Sequence, residues 1–213
     1  MYSGKEPAIE LMLVHAMEVD SVFEVPLLTI PQGAVPVYDD QLHAVVGYRH
    51  ETATGVFRLY DLEGNFIAME EVGLERPLLD PIDLIVLFGG LLRGIGKGVG
   101  SIAARAVGRG SIVIGGRTLS TAVTGAMRTA FRRLSVQNLK FTATTAAHMA
   151  EPGRHVPVHI LHLAIKYGRR APDPRRVQGA FIYTIKMLKN GKERALEIVV
   201  RENDWTILHF LYK

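Results

Sequence analysis

An α+β fold is the expectation for this chain, and three observations predict it. A helical region is followed by three strand patterns joined by tight turns after residue 180, the plan of helices on an antiparallel meander. The N-terminal third is β-rich and carries a hairpin signal. The charges are sorted along the chain: residues 1–83 hold four basic against fifteen acidic residues, a net −11. Residues 84–138 hold eight basic residues and no acid, and residues 139–213 hold thirteen basic against six acidic, a net +7. Sorting of this kind points to three units, 1–80, 81–136 and 137–213.

The whole chain has 213 residues, 48% hydrophobic and 22% charged, a globular balance that excludes wholesale disorder. It has no cysteine, which excludes a disulfide scaffold, a thiolate metal site and a cysteine nucleophile. The longest apolar run, Leu84 to Leu92, is too short to span a bilayer. The opening Met1-Tyr2-Ser3-Gly4-Lys5-Glu6 lacks the basic and apolar regions of a secretory signal, so export would use another route.

In the first unit a short helix is expected near Ala8–Met17, then strands. Val22–Ile30 and Ala34–Tyr38 are punctuated by Pro26, Pro31 and Pro36, which confines them to short or edge strands. His43–Tyr48 is a further strand, and Val56–Leu62 and Phe66–Val72 flank the turn Glu63-Gly64-Asn65. His15, His43 and His50 have no ligand spacing, and the unit reads as an adaptor or cargo module or a plain β domain. In the second unit Gly90, Gly94 and Gly98 recur at a spacing that lets a helix approach a membrane or another helix closely. Each interior glycine weakens a helix by about 1 kcal/mol relative to alanine, so the segment is a translocation linker or a flexible connector. Thr118–Leu134 follows as a firmer helix with the basic cluster Arg128, Arg132 and Arg133.

In the third unit Lys140 opens a strand, and Thr144 or Thr145 caps a short helix carrying His148. A helix runs from Pro157 to Gly168, with proline in its first turn and glycine past its end. A basic loop spans Arg169–Arg176, and strands follow at Ala180–Leu188, Arg194–Arg201 and Trp205–Tyr212. Alternation puts Phe181, Tyr183, Ile185 and Met187, then Leu196, Ile198 and Val200, then Leu208, Phe210 and Tyr212 toward the core. Thr184, Lys186, Glu197, Arg201, Ile207 and His209 then face outward. A carboxylate, a histidine and two cations on neighbouring strands are equipment for general acid–base work on a phosphodiester. His155, His159 and His162 have metal-like spacing, but Pro157 interrupts the helix and no acid lies near in sequence, so neither metal nor cofactor is expected.

The stretch Phe141 to Tyr212 resembles the helix-plus-meander nuclease toxins grouped as barnase/EndoU/colicin/RelE. The likeness rests on the opening Phe141 to Met149 with His148, on Arg154, on Ala164 to Gly168, and on the closing Trp205 to Tyr212 with His209. Asp80-Pro81-Ile82-Asp83 and the Gly-rich basic segment look like pre-toxin linkers of polymorphic bacterial toxins. The resemblance implies a secreted or delivered antibacterial effector whose C-terminal domain, residues 137–213, is a metal-independent ribonuclease acting in the target-cell cytoplasm. Its catalytic set would be His209, His148, Lys186, Glu197 and Arg201, with RNA held by Arg154, Arg169, Arg170, Arg175 and Thr184. His148, His209 or Glu197 takes the proton of a 2′-hydroxyl, and a second group protonates the leaving oxygen. Partners would be the RNA substrate, an acidic immunity protein and, transiently, a membrane. Two rival readings are a membrane-active protein working through residues 84–136 and a nucleic-acid-binding module without catalysis. Residues 137–213 are expected to fold and act alone.

Overall fold

The computed structural model describes residues 2–10, 21–71, 113–114, 117–135, 139–151 and 153–213. The Gly-rich segment read as a linker and most of the helix expected near Ala8–Met17 lie outside these residues. Two sheets are separated by two helices. The larger sheet is built on the hairpin meander β11 (Ala180–Lys189), β12 (Lys192–Arg201) and β13 (Thr206–Tyr212). β10 (Arg169–Pro172) flanks β11, and the short β9 (Lys140–Phe141) runs parallel to β13. The smaller sheet is the meander β3 (Val35–Asp39), β4 (Ala44–Ala53), β5 (Val56–Tyr60) and β6 (Phe66–Glu71). A two-stranded ribbon, β7 (Val113–Ile114) and β8 (Arg117–Thr118), precedes the helices. The architecture is mixed α+β with a β-rich N-terminal region. Among the described residues no helix is long and apolar enough to cross a membrane.

Among the described residues three helices form close to where the sequence patterns place them. α1 (Thr121–Ser135) presents Met127, Phe131 and Leu134 on one buried stripe and leaves Arg132 and Arg133 in its exposed last turn. α2 (Ala143–Ala150) has Thr142 as its N-cap, two residues before Thr144 and three before Thr145, the expected caps. The Thr142 hydroxyl accepts from the Thr145 amide at 3.2 Å, and the Thr145 hydroxyl accepts from the Thr142 amide at 2.9 Å. That same Thr145 hydroxyl donates to the Ile207 carbonyl at 3.0 Å, which fixes α2 against β13. α3 (Val158–Tyr167) starts after Pro157 and stops at Gly168.

The charge-defined boundary at residue 80 does not coincide with a boundary of the larger sheet. β1 (Ile9–Glu10) pairs with β9, and β2 (Phe23–Glu24) pairs with β11, so the N-terminal segment supplies two strands to the C-terminal sheet. Residues 9–10 are strand where a helix was expected. α3 packs on β11 and β12, α1 packs on α3, and α1 packs in turn on β4 and β6. One continuous core results, from Val45, Val46 and Leu59 through Met127 and Phe131 to Ile160, Leu163, Leu196 and Ile198. At Gly47 the packing is tight: a Cβ there would lie 2.2 Å from the Tyr60 carbonyl and 2.6 Å from the end of Met127.

The sorted charges meet across this packing. The Arg128 guanidinium holds the buried Asp39 carboxylate in two hydrogen bonds, at 2.5 and 3.0 Å. Lys166 reaches Glu63 at 2.5 Å, and the Ser120 amide donates to Glu70 at 3.0 Å. Acid from the first block neutralises base from the later ones. The blocks are complementary parts of one core as much as separate units.

Candidate functional site on the open sheet face

Register decides which side chains share the face of the larger sheet turned away from α3. Arg169, Thr184, Glu197 and Leu211 lie opposite one another in one row across β10, β11, β12 and β13. The next row is Ala171, Ile182, Val199 and His209. Glu197 and His209 are therefore diagonal neighbours, a separation that long side chains bridge. A β-bulge between Val199 and Val200 alters the expected alternation of β13. Ile207, expected outside, is fully buried in the main core, and Leu208, expected inside, joins Ala180 and Val199 in a small second cluster on the open face. His209 remains on the open face, half-buried.

His209 is held below its ordinary imidazole value, first by burial and then by the nearby positive charges of His148 and Arg175, while Glu197 pulls the other way. The ring is therefore neutral near pH 7, the state a proton acceptor needs. His148 comes from α2, with its ring edge-on to Phe210 at 6.3 Å between centroids.

The remaining expected residues divide. Thr184, Glu197, Arg169 and Arg175 belong to this face. Lys186 does not reach His209: it lies four residues beyond Ile182 on β11, roughly 13 Å along the strand, and pairs with Glu193 at 2.9 Å. Arg201 is committed to packing, binding Asp204 in two hydrogen bonds at 3.0 and 2.8 Å and thereby holding that carboxyl down to about 2. Arg170 lies on the opposite face, where it forms a fork on Glu202 at 2.6 and 2.9 Å and stacks 3.4 Å from the Phe181 ring centroid. Arg154 is exposed and pairs with Glu151 at 3.3 Å. His155 and His159 are core residues. His155 Nδ1 bonds the Met149 carbonyl at 2.9 Å, and His159 packs against Phe131 at 4.7 Å. Among the described residues no group of three histidines or acids is placed to hold a metal ion.

No family model, curated protein or solved structure matches this chain. The site stands on its own geometry.

Two side chains absent from the sequence expectation also lie here. The Tyr2 ring stacks on His209, 5.8 Å between centroids and 23° from parallel. Its hydroxyl donates to Asp173 Oδ1 at 2.6 Å, and the Arg175 guanidinium lies 4.4 Å from its ring centroid. Local pattern gives no signal for either contact, because Tyr2 and Asp173 are 171 residues apart.

Proposed function

We propose that this open face is the catalytic surface of a metal-independent ribonuclease, acting as a bacterial toxin. The observation that carries the reading is a half-buried, neutral His209 flanked by Glu197 and within electrostatic reach of His148. His209 takes the proton of an RNA 2′-hydroxyl as that oxygen attacks the adjacent phosphorus. The bond from phosphorus to the 5′-oxygen breaks, and His148 donates a proton to that oxygen. The products are a 2′,3′-cyclic phosphate and a free 5′-hydroxyl. Arg169 and Arg175 stabilise the charge gathering on the phosphoryl oxygens. RNA rather than DNA is the substrate, since the nucleophile is the 2′-hydroxyl. Lys186 and Arg201 leave the mechanism on this geometry. A basic active surface suits neutralisation by an acidic immunity protein in the producing cell, with the toxin delivered to the cytoplasm of a target cell.

The test is incubation of the full chain with total cellular RNA, with and without a chelator. Cleavage in excess chelator is expected, and His209→Ala should lower the rate about 10²–10⁴-fold, the usual worth of a general acid or base. Binding with steep salt dependence and no cleavage would overturn the enzyme reading in favour of a nucleic-acid-binding module.

A further inference from the structure

Residues 2–6 lie across the candidate site as a strap, and the strap is tied down by groups far away in sequence. The Arg201 guanidinium donates to the Gly4 carbonyl at 2.5 Å and to the Glu6 carbonyl at 3.2 and 3.3 Å. The Glu6 carboxylate closes a turn on the amides of Ser3 and Gly4, at 2.5 and 2.8 Å. Gly4 has φ +83°, and a Cβ at that position would lie 2.1 Å from Val177 Cγ1, so the strap fits only as glycine there. Its leading side chain, Tyr2, is set on His209, with Arg175 against the ring and Asp173 accepting a hydrogen bond from the hydroxyl.

These three partners describe a slot. An imidazole and a guanidinium both favour a flat π system against them. Asp173 is buried, and its Oδ2 already accepts from the Val177 amide at 3.1 Å, which leaves Oδ1 to whatever ring sits in the slot. A planar ring with a hydrogen-bond donor on its edge satisfies all three, and a nucleobase is such a ring.

We propose that the strap is a resident competitor of the substrate: Tyr2 fills a ring slot formed by His209, Arg175 and Asp173, and a base of the RNA takes the slot when the strap lifts. The inference rests on the ribonuclease reading of this face for the identity of its ligand. While Tyr2 is seated, the affinity for a base is reduced by the fraction of molecules in which the slot is open. Lifting the strap exposes His209 and admits the base in one movement.

The experiment uses the full chain, as wild type, Tyr2→Ala and Tyr2→Phe, titrated with nucleoside 3′-monophosphates and separately with inorganic phosphate. Binding is read from the ring-proton NMR signals of His209, and a thermal transition is recorded for each variant. Tyr2→Ala is expected to bind a mononucleotide roughly tenfold more tightly or better than wild type, with the His209 signals moving, and to gain nothing for phosphate alone. Tyr2→Phe keeps the packed ring and loses only the bond to Asp173, so a smaller gain is expected from a chain that stays folded. Adding Asp173→Asn to Tyr2→Ala should weaken the nucleotide again. Equal nucleotide affinity in all forms, or an equal gain for phosphate, would overturn the proposal. Because binding is read without turnover, the two readings fail separately. Tighter nucleotide binding without RNA cleavage upholds the slot and removes the ribonuclease; cleavage with no gain in binding does the reverse.

Discussion

Cutting the chain at residue 136 tests where the folding unit ends. The fragment 137–213 keeps β9 to β13, α2 and α3, and loses Phe23, Val25, Met127, Phe131 and Leu134, all of them buried. Burial of an apolar side chain of this size contributes about 1.5–3 kcal/mol, so five forfeit roughly 8–15 kcal/mol of apolar burial, an upper estimate because unfolded chains are partly compact. A whole protein's net stability is about 5–15 kcal/mol. The loss is as large as what holds the molecule together. It also strips β2 from β11 and leaves His159 without the Phe131 ring beside it. We therefore expect the isolated fragment to show no cooperative thermal transition by circular dichroism and no dispersed near-ultraviolet signal. Co-expression with residues 1–136 should restore both. A fragment that melts cooperatively within a few degrees of the full chain would refute the argument and reinstate an autonomous C-terminal domain.

Acid should destabilise the protein through His159. Burial, helped by the charge of His155, pushes its imidazole down to about 3, while an unfolded chain takes that proton near 6.5. The stability is whole above pH 6.5 and falls as pH drops toward 3, by about 1.4 kcal/mol per unit, so pH 4.5 costs about 2–3 kcal/mol. Urea unfolding at pH 7 and pH 4.5 checks this; His159→Leu should lose correspondingly less on acidification, and an equal loss would clear His159 of the effect. Met127→Ala empties a fully buried site between β4 and α1 and should cost about 2–5 kcal/mol in a denaturant melt. A cost under 1 kcal/mol would mean that α1 is not clamped to the smaller sheet at Gly47.

Strong local signals made part of the fold legible. Pro157 and Gly168 bracket α3, and Asn190-Gly191 joins β11 to β12 as the turn pattern predicts. Weak signals hid the rest. A strand of two residues, such as β1 or β2, has no periodicity to read, and its existence depends on an edge offered from far along the chain. The arginines and Pro172 of β10 give a loop pattern, yet proline at the end of an edge strand forfeits no ladder bond. The bulge at Val199 and Val200 exchanged the roles of Ile207 and Leu208, because one extra residue resets the two-residue alternation. At the site, alternation alone placed Thr184, Glu197 and His209 on one face. The charge blocks are segregated along the chain but touch in space, where Asp39–Arg128 and Glu63–Lys166 join them.

The threading of β1 and β2 into the far sheet sets an order of events during synthesis. Residues 9–10 and 23–24 leave the ribosome early, but their partner strands are residues 140–141 and 188–189. Until those exist, Phe23 and Val25 have no surface to cover them, and the ladder groups of both short strands stay unpaired. Loop closure over such distances slows folding and prolongs exposure of sticky segments. A nascent chain halted short of residue 206 lacks β13 altogether, so it carries Asp173 and Arg175 but not the His209 ring on which Tyr2 stacks.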